Sequence, residues 1–263
     1  MTGPSFLDLL RAHAPDALPA ALPRDPAQRV ATDLRAPHGT TIIAFTWADG
    51  VLLAGDRRAT SGNLIAQKDL VKVMAIDDTS AAGFAGSVGH AVLMLKLFAA
   101  EVEQYEKVEG ARISEDGKIR RLSAVVRENL GAAMQGFVAL PLYVGYDPAD
   151  GFPARIVTFD PSGSIAHNRS GYTSIGSGSV FAEASMKKLH RPDADRDSAI
   201  SLAVNALWDA ADDDTATAGP DLTRALFPNL ITVTAAGTQE VAESEIRAAT
   251  QEMLAARARR PGG

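Results

Sequence analysis

The period of apolar and polar positions changes several times along this chain, and each change marks an element. Residues 41–46 and 51–54 are apolar, strand-like runs joined by Trp47-Ala48-Asp49-Gly50. Asp-Gly between two such runs is a strong hairpin signal. Residues 70–76 and 81–85 predict a second strand pair turning at Asp77-Asp78. From about 89 to 107 the period becomes helical, with Val92, Leu95, Phe98, Ala99 and Val102 on one side. A second helix is predicted over about 118–138, where Ile119, Leu122, Val126, Leu130, Met134 and Phe137 recur every three or four residues. Strands return at 141–146, 154–159 and 164–167, with Asp160-Pro161-Ser162-Gly163 as a turn. Helices near 180–189 and 197–211, a strand at 229–235 and a helix over 243–259 complete the order.

Strand and helix runs segregated in this way predict an α+β fold with antiparallel sheet, not alternating βαβ units. Two sheets stacked between helix layers fit the order. No internal repeat or linker interrupts the chain after residue 40. The first 39 residues differ: they hold six of the 14 prolines (Pro4, Pro15, Pro19, Pro23, Pro26, Pro37). That density defeats a continuous helix or strand, and only residues 6–14 keep an amphipathic helical spacing. Composition alone leaves two readings of this segment, a disordered tail or a removable propeptide. The basic tail from about residue 257 has nothing to bury and is expected to be flexible.

The formal charge is −6. Four acids and four arginines cancel within the first 39 residues, so the remainder carries all of it. A mildly acidic body argues against nucleic-acid or anionic-membrane partners. The absence of Cys excludes disulfides, thiolate metal sites and Cys nucleophiles. The start has no basic region of a secretory signal. The uncharged stretch 131–146, broken by Gly136 and Pro141, falls short of the ~20 residues a membrane span needs. A soluble, cytoplasmic protein is expected. Gly176-Ser177-Gly178-Ser179 has the wrong spacing for a nucleophile elbow and lacks the third Gly of a dinucleotide fingerprint. Gly117-Lys118 lacks the earlier Gly of a P-loop. The five His show no ligand spacing, and Asp212-Asp213-Asp214 reads as a solvated helix end. No metal or cofactor is expected.

The chemistry concentrates at His38-Gly39-Thr40-Thr41, which runs straight into the first strand. A Thr hydroxyl is a poor nucleophile, but an N-terminal Thr carries its own general base, the free α-amine. Cleavage between Gly39 and Thr40 would expose that amine. Antiparallel pairing across the first hairpin returns Asp56 beside Thr40. Lys72, alone inside the predicted strand 70–76, is costly to bury unless paired, and with Asp56 it reads as the activating cation. Gly86, at a strand end before a helix, would let a substrate approach its backbone N–H as an oxyanion donor.

These residues carry a resemblance. Ala54-Gly55-Asp56-Arg57-Arg58-Ala59-Thr60, Asp69-Leu70-Val71-Lys72-Val73, Ala133-Met134-Gln135-Gly136, Gly176-Ser177-Gly178-Ser179, Ser185-Met186-Lys187-Lys188-Leu189 and Asp209-Ala210-Ala211-Asp212-Asp213-Asp214, with Gly219-Pro220-Asp221, join the Thr40 motif. From Thr40 to about residue 250 the chain resembles a proteasome β-subunit of the actinobacterial type, and its first 39 residues resemble that family's propeptides. The resemblance implies the four-layer αββα sandwich of N-terminal-nucleophile hydrolases and a threonine endopeptidase that degrades unfolded proteins. Residues 1–39 would be an autocatalytically removed propeptide, and 40–263 the catalytic domain. Thr40 would be the nucleophile, Asp56 and Lys72 its activators, and Gly86 the oxyanion donor. Ser177, Asp214 and Thr217 would support the amine. Thr60 and Val88 would hold substrate backbone by strand addition. Ala59, Leu70, Met74, Phe84, Val88 and Val92 would shape an apolar specificity pocket. Implied partners are proteasome α-subunits, copies of this chain in a heptameric ring and a regulatory ATPase ring. The alternatives are a two-ring Thr protease, disfavoured by the long Pro-rich leader, a catalytically silent β-type subunit, and a hairpin-rich binding module.

Overall fold

The computed structural model describes residues 39–260. Residues 1–38, which include the amphipathic piece and nearly all of the segment expected to be a propeptide, lie outside the described residues. In chain order the strands are β1 (Thr41–Trp47), β2 (Gly50–Gly55), β3 (Ala59–Ser61), β4 (Leu64–Gln67), β5 (Val73–Asp77), β6 (Ser80–Gly86), β7 (Ala139–Tyr146), β8 (Ala154–Phe159), β9 (Ile165–His167), β10 (Tyr172–Gly176), β11 (Asn229–Thr234) and β12 (Gly237–Glu240). The helices are α1 (Val88–Glu109), α2 (Glu115–Glu128), α3 (Leu130–Met134), α4 (Ser179–Leu189), α5 (Arg196–Asp213) and α6 (Glu243–Arg259).

Two five-stranded sheets carry the fold, ordered β10-β1-β2-β11-β12 and β5-β6-β7-β8-β9, and β3 pairs β4 in a separate hairpin. Every strand pairing within the two sheets is antiparallel. The two-residue period of β1 shows how the layers arise. Ile43, Phe45 and Trp47 join a cluster with α4, α5 and α6, through Ala182, Met186, Leu207, Ile246 and Met253. Ile42 and Ala44 face the other way, against Val73 of β5, Ala81 of β6 and Leu142 and Val144 of β7. The far face of the second sheet packs Phe84, Tyr143 and Val157 under Leu95, Phe98 and Val102 of α1 and Ile119 and Leu122 of α2. The result is an αββα sandwich, as the element order and the resemblance predict. Each buried Leu, Ile, Val or Phe contributes about 1.5–3 kcal/mol, so the inter-sheet cluster alone strongly couples the sheets.

Several boundaries differ from expectation. The helix predicted over 118–138 is two helices. α2 starts earlier, at Glu115, because Ser114 caps it by accepting the Gly117 N–H at 3.2 Å. It ends at Glu128, α3 follows, and Gly136 at φ +97° turns the chain into β7. β7 begins at Ala139 because that residue still pairs Gly86. β5 begins at Val73, so Lys72 precedes the strand and is not inside it. The hairpin of β3 and β4 and the strands β10 and β12 have no counterpart in the apolar pattern. β4 is exposed throughout, and β12 is half exposed at an outer position of its sheet. α6 runs through Arg259, and Arg257 bonds Asp209 at 2.5 Å.

Candidate active site

Strand pairing alone places the first residues of the site. Ile42 of β1 pairs Gly55 of β2, so Asp56 comes level with Thr41 and its N–H bonds the Thr41 carbonyl at 3.1 Å. The Asp56 side chain is fully buried and accepts four donors. Oδ1 takes the Thr41 N–H (2.8 Å) and Lys72 Nζ (2.6 Å). Oδ2 takes the Arg58 N–H (2.8 Å) and the Ala218 N–H (3.0 Å). A carboxylate with two donors on each oxygen is fixed in place.

Lys72 is 1 % exposed. Besides Asp56, its ammonium donates to the Gly39 carbonyl oxygen at 3.1 Å. The Thr40 hydroxyl donates to the same oxygen at 2.5 Å. The carbonyl ahead of Thr40 is therefore held by a hydroxyl and a cation at once. Burial pushes the Lys72 ammonium below the usual lysine range; Asp56 opposes this by charge and hydrogen bond, Arg58 adds to it, and Asp214 opposes it weakly.

The third group arrives from α5 and β10. Ser177 follows β10, and its N–H donates to the Thr40 carbonyl at 2.9 Å. Its hydroxyl and that of Thr217 both donate to Asp214 Oδ2, at 2.5 and 2.6 Å. Asp214 also takes the Ala216 N–H on Oδ1 at 3.1 Å, which closes the loop after α5. Arg58 Nη1 donates to the Thr215 carbonyl at 2.8 Å, tying that loop to the Asp56 segment.

Glycines are required here sterically. A Cβ on Gly39 would lie 2.5 Å from Thr60 Oγ1 and 2.6 Å from the Ala216 carbonyl oxygen. Thr60 therefore stands beside the residue ahead of Thr40. Gly86 has φ +102°, and a Cβ there would lie 2.2 Å from the Val138 oxygen. Crowding against the β7 approach thus demands glycine at 86, beyond the substrate-access reason suggested by the sequence.

Of the residues expected to shape a pocket, Leu70, Met74, Val88 and Val92 are partly buried against one cluster that contains Phe84. Ala59 is buried but belongs to none of the three apolar clusters. Sequence reasoning missed Thr41, Arg58 and Ala218. Arg58 was visible only as part of a motif; Ala218 acts through its backbone, which no side-chain pattern reveals.

Two antiparallel sheets between helix layers, with a Thr heading the first strand beside a buried Lys–Asp pair, define the sandwich of an N-terminal-nucleophile hydrolase. A family model described as "Proteasome subunit" matches residues 36–221. The chain belongs to the proteasome subunit family. It is 51% identical over 258 residues to a "Proteasome subunit beta" of Rhodococcus erythropolis, covering 96% of this chain and 88% of that one. A protein of the same name from Gordonia bronchialis is 52% identical, covering 97% of this chain and 88% of its own. Another from Rhodococcus jostii is 47% identical, covering 98% and 91%. Matches this long extend into the segment ahead of Thr40. Membership supports a peptidase role and assembly with other subunits into a core particle. No helix of the described residues is long and apolar enough to cross a membrane.

Proposed function

We propose that this chain is a threonine endopeptidase subunit of a proteasome core particle, activated by cutting itself between Gly39 and Thr40. One observation carries the reading: the Gly39 carbonyl oxygen accepts both the Thr40 hydroxyl and the Lys72 ammonium. In maturation, Thr40 Oγ bonds the Gly39 carbonyl carbon while Lys72 stabilises charge developing on the oxygen. The Gly39–Thr40 C–N bond breaks, the hydroxyl proton passes to the departing nitrogen, and an ester remains. Water hydrolyses that ester, releasing residues 1–39 with a Gly39 carboxylate.

The freed α-amine then serves as base for the same hydroxyl, with Ser177, Asp214 and Thr217 holding it. Oγ attacks a substrate carbonyl, the Gly86 N–H receives the oxyanion, the leaving amine takes the proton, and water clears the acyl ester. Thr60 and Val88 hold the substrate backbone. The apolar surround of Leu70, Met74, Phe84, Val88 and Val92 favours cleavage after apolar residues, with Ala59 completing the pocket wall. α-Subunits, a seven-membered ring of this chain and an ATPase ring supplying unfolded protein complete the assembly, which works in the cytoplasm.

Intact-mass measurement and peptide hydrolysis on purified assemblies test this. The wild-type chain should begin at Thr40 and cleave after apolar residues. Thr40→Ala should keep residues 1–39 and be inactive. Active material still bearing residues 1–39, or normal cutting of Thr40→Ala, overturns the proposal; equal cleavage after acidic residues overturns the pocket assignment.

A further inference from the structure

Thr41 carries two links that the reading above leaves unused. It is fully buried, and its N–H already belongs to Asp56. Its hydroxyl lies 2.6 Å from Thr217 Oγ1 and accepts the Gly178 N–H at 3.1 Å. A hydroxyl has one proton to give. Thr217 gives its proton to Asp214 Oδ2 at 2.6 Å, and a carboxylate oxygen cannot return one. Across the short contact between the two hydroxyls, Thr41 must therefore be the donor. The bonds run one way, from the Gly178 N–H through Thr41 and Thr217 to Asp214, where the Ser177 hydroxyl also ends. Gly178 leaves no slack: a Cβ there would lie 2.5 Å from Thr41 Oγ1 and 2.8 Å from Thr217 Oγ1.

We propose that Thr41 is a positioning residue for the peptidase reaction, its hydroxyl fixing the direction of the Thr217–Asp214 hydrogen bond and so the placement of Asp214 and Ser177 around the Thr40 amine. Its main chain grips the Asp56–Lys72 pair, so one residue aligns the two charged groups flanking the nucleophile. This rests on Thr40 being the mature N-terminus. Thr41 touches neither substrate nor the reacting atoms and acts through Thr217.

The test is a double-mutant cycle in the assembled enzyme, with Thr40→Ala as the independent control on the underlying reading. Thr41→Val keeps the shape and removes the hydroxyl. It should still be cut at Gly39, and kcat on a short apolar peptide should fall about tenfold, the worth of one hydrogen bond. KM should stay within about twofold, as for an interaction acting on the chemical step. Thr41→Ser should recover wild-type kcat within the same margin. Thr41→Val combined with Thr217→Val should be no worse than Thr217→Val alone, since both break one chain. Additive losses, equal losses in Thr41→Val and Thr41→Ser, or an unchanged kcat in Thr41→Val overturn the proposal. If Thr41→Val does not accumulate, Thr41→Cys, of similar size but a weak donor, takes its place with the same expectations. If Thr40→Ala is cut and active, the Thr40 reading fails, whatever Thr41 does.

Discussion

Two lysines of this protein, Lys72 and Lys118, are each 1 % exposed, and their surroundings assign them different work. Lys118 Nζ donates to Thr79 Oγ1 at 2.6 Å and Glu115 Oε1 at 2.7 Å, and its charge also pairs with Asp77, 2.6 Å from Oδ2. Those partners are themselves held. Tyr143 donates to Glu115 Oε2 at 2.5 Å, and Ser80 to Asp77 Oδ1 at 2.7 Å. Burial pushes the Asp77 carboxyl up, but the charge and hydrogen bond of Lys118, helped by Ser80 and Thr79, bring it below the usual range. A Cβ on Gly145 would lie 1.8 Å from Glu115 Oε2, so the Glu115 carboxylate occupies the space that glycine leaves open. This knot pins α2 to the turn between β5 and β6. Lys72 has one carboxylate, and its other acceptor is the carbonyl of the bond we propose is broken. A buried cation whose acceptors are all permanent is architecture. One whose acceptor leaves with the reaction is available for chemistry.

The sharpest way to break this contrast is to remove each ammonium in turn. Lys72→Met leaves Asp56 with three backbone donors, so the carboxylate stays satisfied and the chain folds. Peptide hydrolysis should fall by about 10³-fold or more, the scale of a lost electrostatic stabiliser, and the chain should stay uncut ahead of Thr40. Activity within tenfold of wild type would remove Lys72 from the mechanism. Lys118→Met faces Glu115 and Asp77 with no cation between them. That should cost about 3–5 kcal/mol of stability, read in denaturant unfolding, while kcat per folded chain is unchanged. A lowered kcat at unchanged stability would erase the distinction between the two lysines.

The same pair shows what could be read from the sequence. The αββα layering was legible because short apolar runs flanking a turn mark β1 and β2, while a helical period marks α1 and α2. Asp56 and Lys72 were legible because a hairpin register and one misplaced charge in an apolar run are local signals. Lys118 was not. It sits in Glu115-Asp116-Gly117-Lys118, a polar helix start that looks solvated, and its burial depends on Asp77 and Tyr143, distant in sequence. The hairpin of β3 and β4 was illegible for the opposite reason: Leu64 and Ile65 are apolar yet exposed, so no inward alternation marks them. Ser177, Asp214 and Thr217 came only through resemblance, since nothing local joins Ser177 to residues two helices further along the chain. Thr41 was hidden by its neighbour, one Thr drawing attention from the next.

The smallest effect concerns protons. Burial leaves the Lys72 ammonium easier to deprotonate than a free lysine, with Arg58 adding to the shift and Asp56 and Asp214 opposing it. Between its folded value and the ordinary 10.5, the folded chain binds fewer protons at this group than the unfolded chain. This group's contribution to stability therefore rises with pH across that window. Activity that needs the charged ammonium falls across the same window, so the two quantities run in opposite directions there. Arg58→Gln removes one repelling charge, so Lys72 should hold its proton to higher pH and the alkaline limb of kcat should move up. Arg58 also bonds the Thr215 carbonyl, and Arg58→Lys separates the two roles by keeping the charge while losing the planar fork. A limb that moves in Arg58→Gln but stays in Arg58→Lys assigns the shift to charge. Equal movement in both would mean that the loop after α5, not the field at Lys72, sets the titration.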